Sequence, residues 1–245
     1  MYLESPSGVS GEGSQVLRES LILAGGLGTR LRAVVSDRPK PMAEVAGRPF
    51  ITFLFDQLLR FGVERAVICV GHLGEYVPAI LGSRYNDLEL VYSFEQTPLG
   101  TGGALRNAAK LVTEPRILAL NGDSFCNVDL QALEEVHART GAAMTLAVLE
   151  RSDRRRAGAI SLDESGRVVA FESRPTTSGP GLINAGVYVL NSQVIDLIPS
   201  ERKVSLEEEV FPLLVERREL YAFHTDGRFI DIGVPASYQQ AQTFF

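Results

Sequence analysis

The chain has 245 residues, 45% of them hydrophobic, and sets 24 Lys and Arg against 30 Asp and Glu for a formal net charge of −6. That length buries one substantial core and fits a single large α/β domain better than two independent ones. The acidic balance excludes a global basic field for nucleic acid, so any phosphate must be held by a local cluster of cations and backbone N–H groups.

Residues 1–17 are polar and rich in Gly and Ser. Lacking an apolar centre and a basic start, they read as a flexible extension rather than a signal peptide, with the folded domain expected over 18–245. Leu21–Ala24 is a short buried strand that runs straight into glycines. Phe50–Phe61 has helical apolar spacing, Ala66–Val70 is a second buried strand, and Leu88–Phe94 alternates as a strand does. Gly103–Lys110 is Ala-rich and helical, and Arg116–Leu120 is a strand that ends at Asn121-Gly122-Asp123. A helix over Leu130–Thr140 and a strand over Ala143–Leu149 follow. Strands separated by helices of this length predict βαβ units and a doubly wound, mainly parallel sheet.

Beyond residue 158 the pattern changes. Ala159–Leu162 and Val168–Glu172 flank Asp163-Glu164-Ser165-Gly166, a hairpin turn by composition. Leu182–Leu190 and Leu220–His224 are strand candidates, and Glu207–Arg217 is a helix candidate carrying Pro212. Cys69 and Cys126 sit in or beside apolar runs and read as buried thiols; His72, His137 and His224 lack zinc spacing. No apolar run approaches a membrane span, so a cytoplasmic location and no membrane partner are the expectation. Homo-oligomer formation is left open.

The strongest chemical signal is Leu23-Ala24-Gly25-Gly26-Leu27-Gly28-Thr29-Arg30-Leu31-Arg32. Glycines directly after a strand let backbone N–H groups approach phosphate or base, and Arg30 and Arg32 add charge for phosphate oxygens. Arg38-Pro39-Lys40-Pro41 follows, where two prolines stiffen the segment that aims Lys40. A plain tight turn is the blander alternative. A dinucleotide-binding loop is disfavoured, because the spacing is G-G-x-G and no acidic residue ends a second strand about 20 residues on. The ending of a P-loop is missing too.

Taken with five later segments, this signature resembles that of the sugar-1-phosphate nucleotidyltransferases. The segments, in order, are Pro98-Leu99-Gly100-Thr101-Gly102-Gly103-Ala104, Asn121-Gly122-Asp123, Phe171-Glu172-Ser173-Arg174-Pro175, Asn184-Ala185-Gly186-Val187-Tyr188 and Ile230-Asp231-Ile232-Gly233-Val234-Pro235. The resemblance spans residues 18–241. It implies a single Rossmann-like domain of the nucleotide-diphospho-sugar transferase (GT-A-like) kind, with a nucleoside triphosphate, a sugar 1-phosphate and Mg²⁺ as its small-molecule partners. Ser205-Leu206-Glu207, Phe211-Pro212 and Phe229-Ile230-Asp231 narrow it. They are similar to the D-glycero-α-D-manno-heptose 1-phosphate guanylyltransferases, which use GTP and whose nucleotide sugars feed surface glycan synthesis.

The expected chemistry is displacement at the α-phosphorus, which needs two anions brought in line and neutralised rather than a covalent nucleophile. By the resemblance, Arg30 and Lys40 meet the phosphates, and Asp123 and Asp231 bind the metal. Both aspartates end apolar strand-like runs, which in a parallel open sheet line one crevice. As residues alone, Asp123 could be a turn residue and Asp231 a helix N-cap. Leu23, Gly25, Gly26, Gly28, Thr29, Gly100, Gly102 and Gly103 are expected at the nucleotide. Glu95 or Gln96 would read the base, since a carboxylate accepts from N1–H and the 2-amino group of guanine. Gly122, Glu172, Arg174, Asn184 and Gly186 are expected at the sugar phosphate. Arg174 stands where the family commonly has Lys, and the two cations differ in geometry. Asn184 is a polar break in an apolar strand and needs a partner, which sugar hydroxyls would supply. The competing readings are other hexose or amino-sugar nucleotidyltransferases using UTP or GTP, a non-catalytic nucleotide-sugar sensor, and an NAD-dependent oxidoreductase.

Overall fold

The computed structural model describes residues 17–245 except 27, 155–157, 174, 176, 177 and 201. In chain order, β1 (Glu19–Leu23) is followed by a 3₁₀ turn at Lys40–Met42 and a small hairpin of β2 (Glu44–Val45) and β3 (Arg48–Pro49). Next come α1 (Ile51–Arg60), β4 (Arg65–Val70), α2 (Tyr76–Leu81), β5 (Arg84–Tyr85), β6 (Leu88–Phe94) and α3 (Gly100–Ala109). Then follow β7 (Arg116–Asn121), β8 (Ser124–Cys126), α4 (Leu130–Thr140), β9 (Met144–Arg151), β10 (Ala159–Leu162), β11 (Val168–Glu172) and β12 (Gly181–Asn191). The chain closes with α5 (Phe211–Glu216), β13 (Leu220–His224), β14 (Phe229–Asp231) and α6 (Pro235–Ala241).

One ten-stranded sheet has the path β11-β10-β12-β7-β1-β4-β6-β5, with β9 alongside β12 and β13 alongside β9. Strands β7, β1, β4 and β6 run parallel. Their apolar runs are continuous because both faces are covered. Along β1, Leu21 packs on one face and Ile22 on the other; along β4, Val67 and Cys69 alternate with Ile68 and Val70. Helices α1 and α4 cover one face, and α3 and α5 the other. Strand β12 is antiparallel to β7, β9 and β10, so the rest of the sheet is mixed.

The connection from β1 through β4 to β6 moves one way across the sheet. That to β7 returns to the other side of β1. Such a reversal opens a crevice at the carboxyl ends of the strands, where α/β proteins place ligands. The glycine loop after β1 and the Asn121-Gly122-Asp123 turn after β7 flank it.

The helix expected over Glu207–Arg217 differs in its first half. Ser205 caps a π turn over Leu206–Val210, and α5 starts only at Phe211. Pro212 has no N–H and crowds the carbonyl four residues back, so it fits where a new helix begins and not inside a continuous one. Leu17, placed in the extension by composition, is buried against the core. No helix among the described residues is long and apolar enough to cross a membrane.

Candidate active site

The crevice holds a cavity of about 390 Å³ whose wall includes Leu23, Gly25, Gly26, Lys40, Glu95, Gly100 and Asp123. These are seven of the residues expected at the site. Asn121, Thr101, Lys203 and Glu207 complete its polar lining.

The glycine loop is shaped by close approach. A Cβ on Gly25 would collide with the Glu95 carboxylate, and one on Gly71 would lie 2.7 Å from the Gly25 carbonyl oxygen. Gly28 has φ +60°, a conformation that suits glycine, and its carbonyl accepts from Leu31 N to form the turn carrying Thr29 and Arg30. Thr29 and Arg30 are exposed. Glu95 ends the β6 run. Its Oε2 accepts from Leu99 N at 2.9 Å, and burial pushes its carboxyl above the usual carboxylate range, offset in part by that bond. Gln96 is exposed and does not line the cavity.

The charged groups converge at the mouth. Lys40 Nζ forms a close ion pair with Asp123 Oδ2, with the lysine side chain 10% exposed and the aspartate 38%. A point on Gly233 where a Cβ would sit lies 2.8 Å from Asp231 Oδ1, 3.6 Å from Arg30 Nη2 and 3.7 Å from Lys40 Nζ. Arg30, Lys40, Asp123 and Asp231, far apart in sequence, thus form one cluster. Asp231 reaches it by a route other than the one expected. Its strand β14 is outside the large sheet and pairs antiparallel with β8, so that Asp231 lies opposite Ser124 and Ile232 N donates to the Asp123 carbonyl at 2.9 Å. Asp231 is not a helix N-cap, since Val234 precedes α6; its Oδ1 accepts from Gly233 N at 2.9 Å.

Several expected contacts have reasons inside the chain. Gly102 and Gly103 lie within α3 rather than along the cavity, and their N–H groups donate to the Val204 carbonyl at 2.9 and 3.3 Å. Side chains there would strike Val204 and Leu99, so packing demands these glycines. Gly122 is buried and donates to the Leu23 carbonyl at 2.9 Å, drawing the β7 turn onto the end of β1. Asn184 finds its partners within β12: Oδ1 accepts from Gly186 N at 2.9 Å and Nδ2 donates to the Tyr188 hydroxyl at 2.8 Å. These bonds hold a bulge in which Gly186 takes φ +74° and packs under Asn121 and Ser124. Glu172 is exposed at the end of β11 and does not line the cavity. Arg174 lies outside the described residues.

Lys203, Glu207, Thr101 and Asn121 were not singled out as site residues from sequence. Lys203 and Glu207 lie in a stretch without glycine spacing or strand pattern. Only the glycines facing it, at 100, 102 and 103, signal that another segment packs there.

Comparison with known proteins decides the family. The nucleotidyl transferase family model matches residues 19–245. The chain belongs to that family. It is 38% identical over 224 residues to the D-glycero-alpha-D-manno-heptose 1-phosphate guanylyltransferase of Aneurinibacillus thermoaerophilus, covering 91% of this chain and 96% of that one. It is 35% identical to a mannose-1-phosphate guanylyltransferase of Mycobacterium tuberculosis, with 90% of this chain matching 62% of that longer protein. Among solved structures, HddC from Yersinia pseudotuberculosis complexed with GMP-PN aligns with a TM-score of 0.80 and 31% identity, over 92% of this chain and 98% of the other. The fold is thus the mixed, mostly parallel nucleotidyltransferase sheet, and the protein is a nucleotidyltransferase.

Proposed function

We propose that this nucleotidyltransferase joins GTP to D-glycero-α-D-manno-heptose 1-phosphate, releasing pyrophosphate and forming a GDP-sugar. The observation that carries the reading is the junction of two unlike environments in one cavity. Gly25, Gly26 and Glu95 form a wall for a base, beside the cluster of Arg30, Lys40, Asp123 and Asp231 for phosphates. The 38% identity to a heptose 1-phosphate guanylyltransferase supports the choice of sugar, and the GMP-PN complex of the Yersinia protein supports the base.

In this reading an oxygen of the sugar phosphate attacks the α-phosphorus of GTP. The bond from that phosphorus to the bridging oxygen breaks, and pyrophosphate leaves. Glu95 accepts from the guanine N1–H and 2-amino group. Arg30 lies at the mouth, where the charge of the leaving pyrophosphate grows, and Lys40 turns from Asp123 to the triphosphate. The contacts of Arg30 and Lys40 gain strength as negative charge builds on the leaving pyrophosphate, which is what accelerates the step, whereas the bonds of Glu95 to the base hold the nucleotide equally in both states.

Asp123 and Asp231 suit a divalent cation. They are hard carboxylates brought together because Asp123 immediately precedes β8 and Asp231 ends β14, which pairs with it. No group of three or more His, Cys, Asp or Glu able to hold a metal occurs among the described residues. Two carboxylates with remaining positions for water and phosphate oxygens match the preference of Mg²⁺. When bound, the ion would neutralise and align phosphate oxygens of both substrates.

The 35% identity to a mannose-1-phosphate guanylyltransferase favours mannose 1-phosphate as the second reading. Pyrophosphate release with Mg²⁺ separates the two when GTP, UTP, ATP, CTP and dTTP are crossed with heptose, mannose, glucose and N-acetylmuramate 1-phosphates. The heptose phosphate with GTP is the expected best pair. Preference for mannose 1-phosphate corrects the sugar. Bound nucleotide with no turnover for any pair would identify a sensor.

A further inference from the structure

Two chain segments meet at the cavity wall where α3 begins, and one hydroxyl joins them. Thr101, in the glycine segment expected at the nucleotide, donates from Oγ1 to Glu207 Oε2 at 2.7 Å and accepts from Leu206 N at 2.8 Å. Ser205 Oγ donates to the same carboxylate oxygen at 3.0 Å and accepts from Glu208 N at 3.1 Å. Each hydroxyl takes a backbone N–H as acceptor, so its single proton is committed to Glu207. Glu207 Oε2 therefore has two donors, no hydrogen bond to Oε1 is found among the described residues, and Glu207 lines the cavity.

The position of Glu207 within the cavity follows from its neighbours. Glu207 lines the cavity together with Asn121 and Asp123, and Phe211, four residues further on, packs its ring 5.7 Å from that of Tyr188, whose hydroxyl is fully buried. The same hydroxyl accepts from Asn184 Nδ2 at 2.8 Å. Glu207 thus lies toward Asp123 and the β12 bulge. Glu95, at the other wall, lies over Gly25. A carboxylate with one oxygen open suits the hydroxyl groups of a sugar ring, as it is an acceptor only.

We propose that Thr101 is a positioning residue for the second substrate: by holding Glu207 through Oε2 it presents Oε1 to the hydroxyls of the sugar 1-phosphate. This rests on the two-substrate reading above. It separates Thr101 from its neighbours in sequence, because a residue of the nucleotide-side glycine segment then governs recognition of the sugar. A glutamate side chain has several rotatable bonds, and removing one of two hydroxyl donors lets it leave the orientation that discriminates between sugars.

The test uses the full chain and the preferred sugar 1-phosphate from the panel. Thr101→Val keeps the shape and removes the hydroxyl. It is expected to raise the KM for the sugar phosphate about tenfold, the order of a lost charge-assisted hydrogen bond, and to weaken the discrimination among sugar phosphates. The affinity for GTP, measured by calorimetry, should be unchanged, which also shows that the fold survives. Thr101→Ser should restore the wild-type values. A double-mutant cycle with Glu207→Gln should be non-additive, because both changes cut one connection. An unchanged sugar KM, an equal loss of GTP affinity, failure of the serine variant to rescue, or additivity would each overturn the proposal. A wild-type protein silent with every sugar phosphate would overturn the two-substrate reading and this inference with it. A turning-over wild type with Thr101→Val unaffected overturns only the inference.

Discussion

The two halves of the large sheet supply the site by different means. In the parallel half, each contribution is a short loop at the carboxyl end of a strand. Gly25 and Gly26 follow β1, Glu95 follows β6, and Asp123 follows β7. In the antiparallel half, the site is approached from beneath by a bulge in β12 and from the side by residues 203–207, neither of which is a strand end. Parallel strands all point their carboxyl ends to one edge, so a strand followed by polar residues is already a placed site residue. Antiparallel strands alternate in direction, and their side chains reach the site only through particular pairings. The parallel half should therefore lose chemistry when one residue is changed, and the antiparallel half should lose geometry.

The sharpest break of this comparison is Asp123→Asn. The side chain is 38% exposed and its removal leaves no core cavity, so the fold should survive. Activity should fall by about 10³-fold or more, because in the proposed reading a metal carboxylate and the counter-ion of Lys40 are lost together. Mg²⁺-dependent pyrophosphate release in a variant with a wild-type unfolding midpoint checks this, and near-normal turnover would remove Asp123 from the chemistry. Arg30→Ala comes next. Arg30 is exposed at the mouth, and its loss should lower kcat about 10²–10³-fold while leaving the KM for sugar phosphate near wild type. A change confined to KM would make Arg30 a binding residue only.

Gly186→Ala probes the other half. At φ +74° a methyl group would lie 2.7 Å from Ser124 Oγ and 2.8 Å from Asn121 Nδ2. The bulge must open or the β7–β8 turn must move, at a cost of about 1–3 kcal/mol. A shift of the denaturant midpoint with a raised sugar-phosphate KM is expected, and kcat should fall less than in Arg30→Ala. Wild-type stability in this variant would show that the bulge is not tight.

The same contrast explains what was legible in the sequence. Apolar runs buried on both faces marked β1, β4 and β7, and the 3.6-residue spacing marked α1 and α4, because local pattern and tertiary burial agree there. The convergence of Arg30, Lys40 and Asp123 on one crevice was legible because glycine, proline and strand-end signals sit next to them. Asp231 was expected at the end of a strand of the parallel sheet, since three residues cannot reveal that β14 pairs antiparallel with β8. Gly102, Gly103 and Gly122 were read as ligand contacts, and in the structure a side chain at each would meet Val204, Leu99 or the end of β1. A glycine signals close approach without saying whether ligand or protein approaches. Lys203 and Glu207 depend on a loop crossing α3 from about a hundred residues away, and no local pattern encodes that contact.

The smallest expected effect is the most specific. Burial holds the Glu95 carboxyl above its ordinary range, so it takes up a proton at a higher pH than a free carboxyl does. In the proposed reading guanine would present its N1–H and 2-amino donors to Glu95, and only the ionised carboxylate accepts from both. As pH falls through the raised pKa, Glu95 takes up a proton and the KM for GTP should rise; above it the KM should be flat. Stability runs the other way. A carboxyl raised on folding adds stability that is fully present below its unfolded pKa and is lost as pH rises through the folded one. Glu95→Gln should abolish both trends. It should raise the KM for GTP about tenfold at neutral pH, the order of a hydrogen bond to a charged group, and should leave the sugar-phosphate KM unchanged. The kcat/KM profile for GTP, which reports groups of the free protein, measures this directly. An acid limb that persists in Glu95→Gln would assign the titration to another group and leave the base without its proposed reader. Loss of the limb with an unchanged sugar KM would tie base recognition to the parallel half alone.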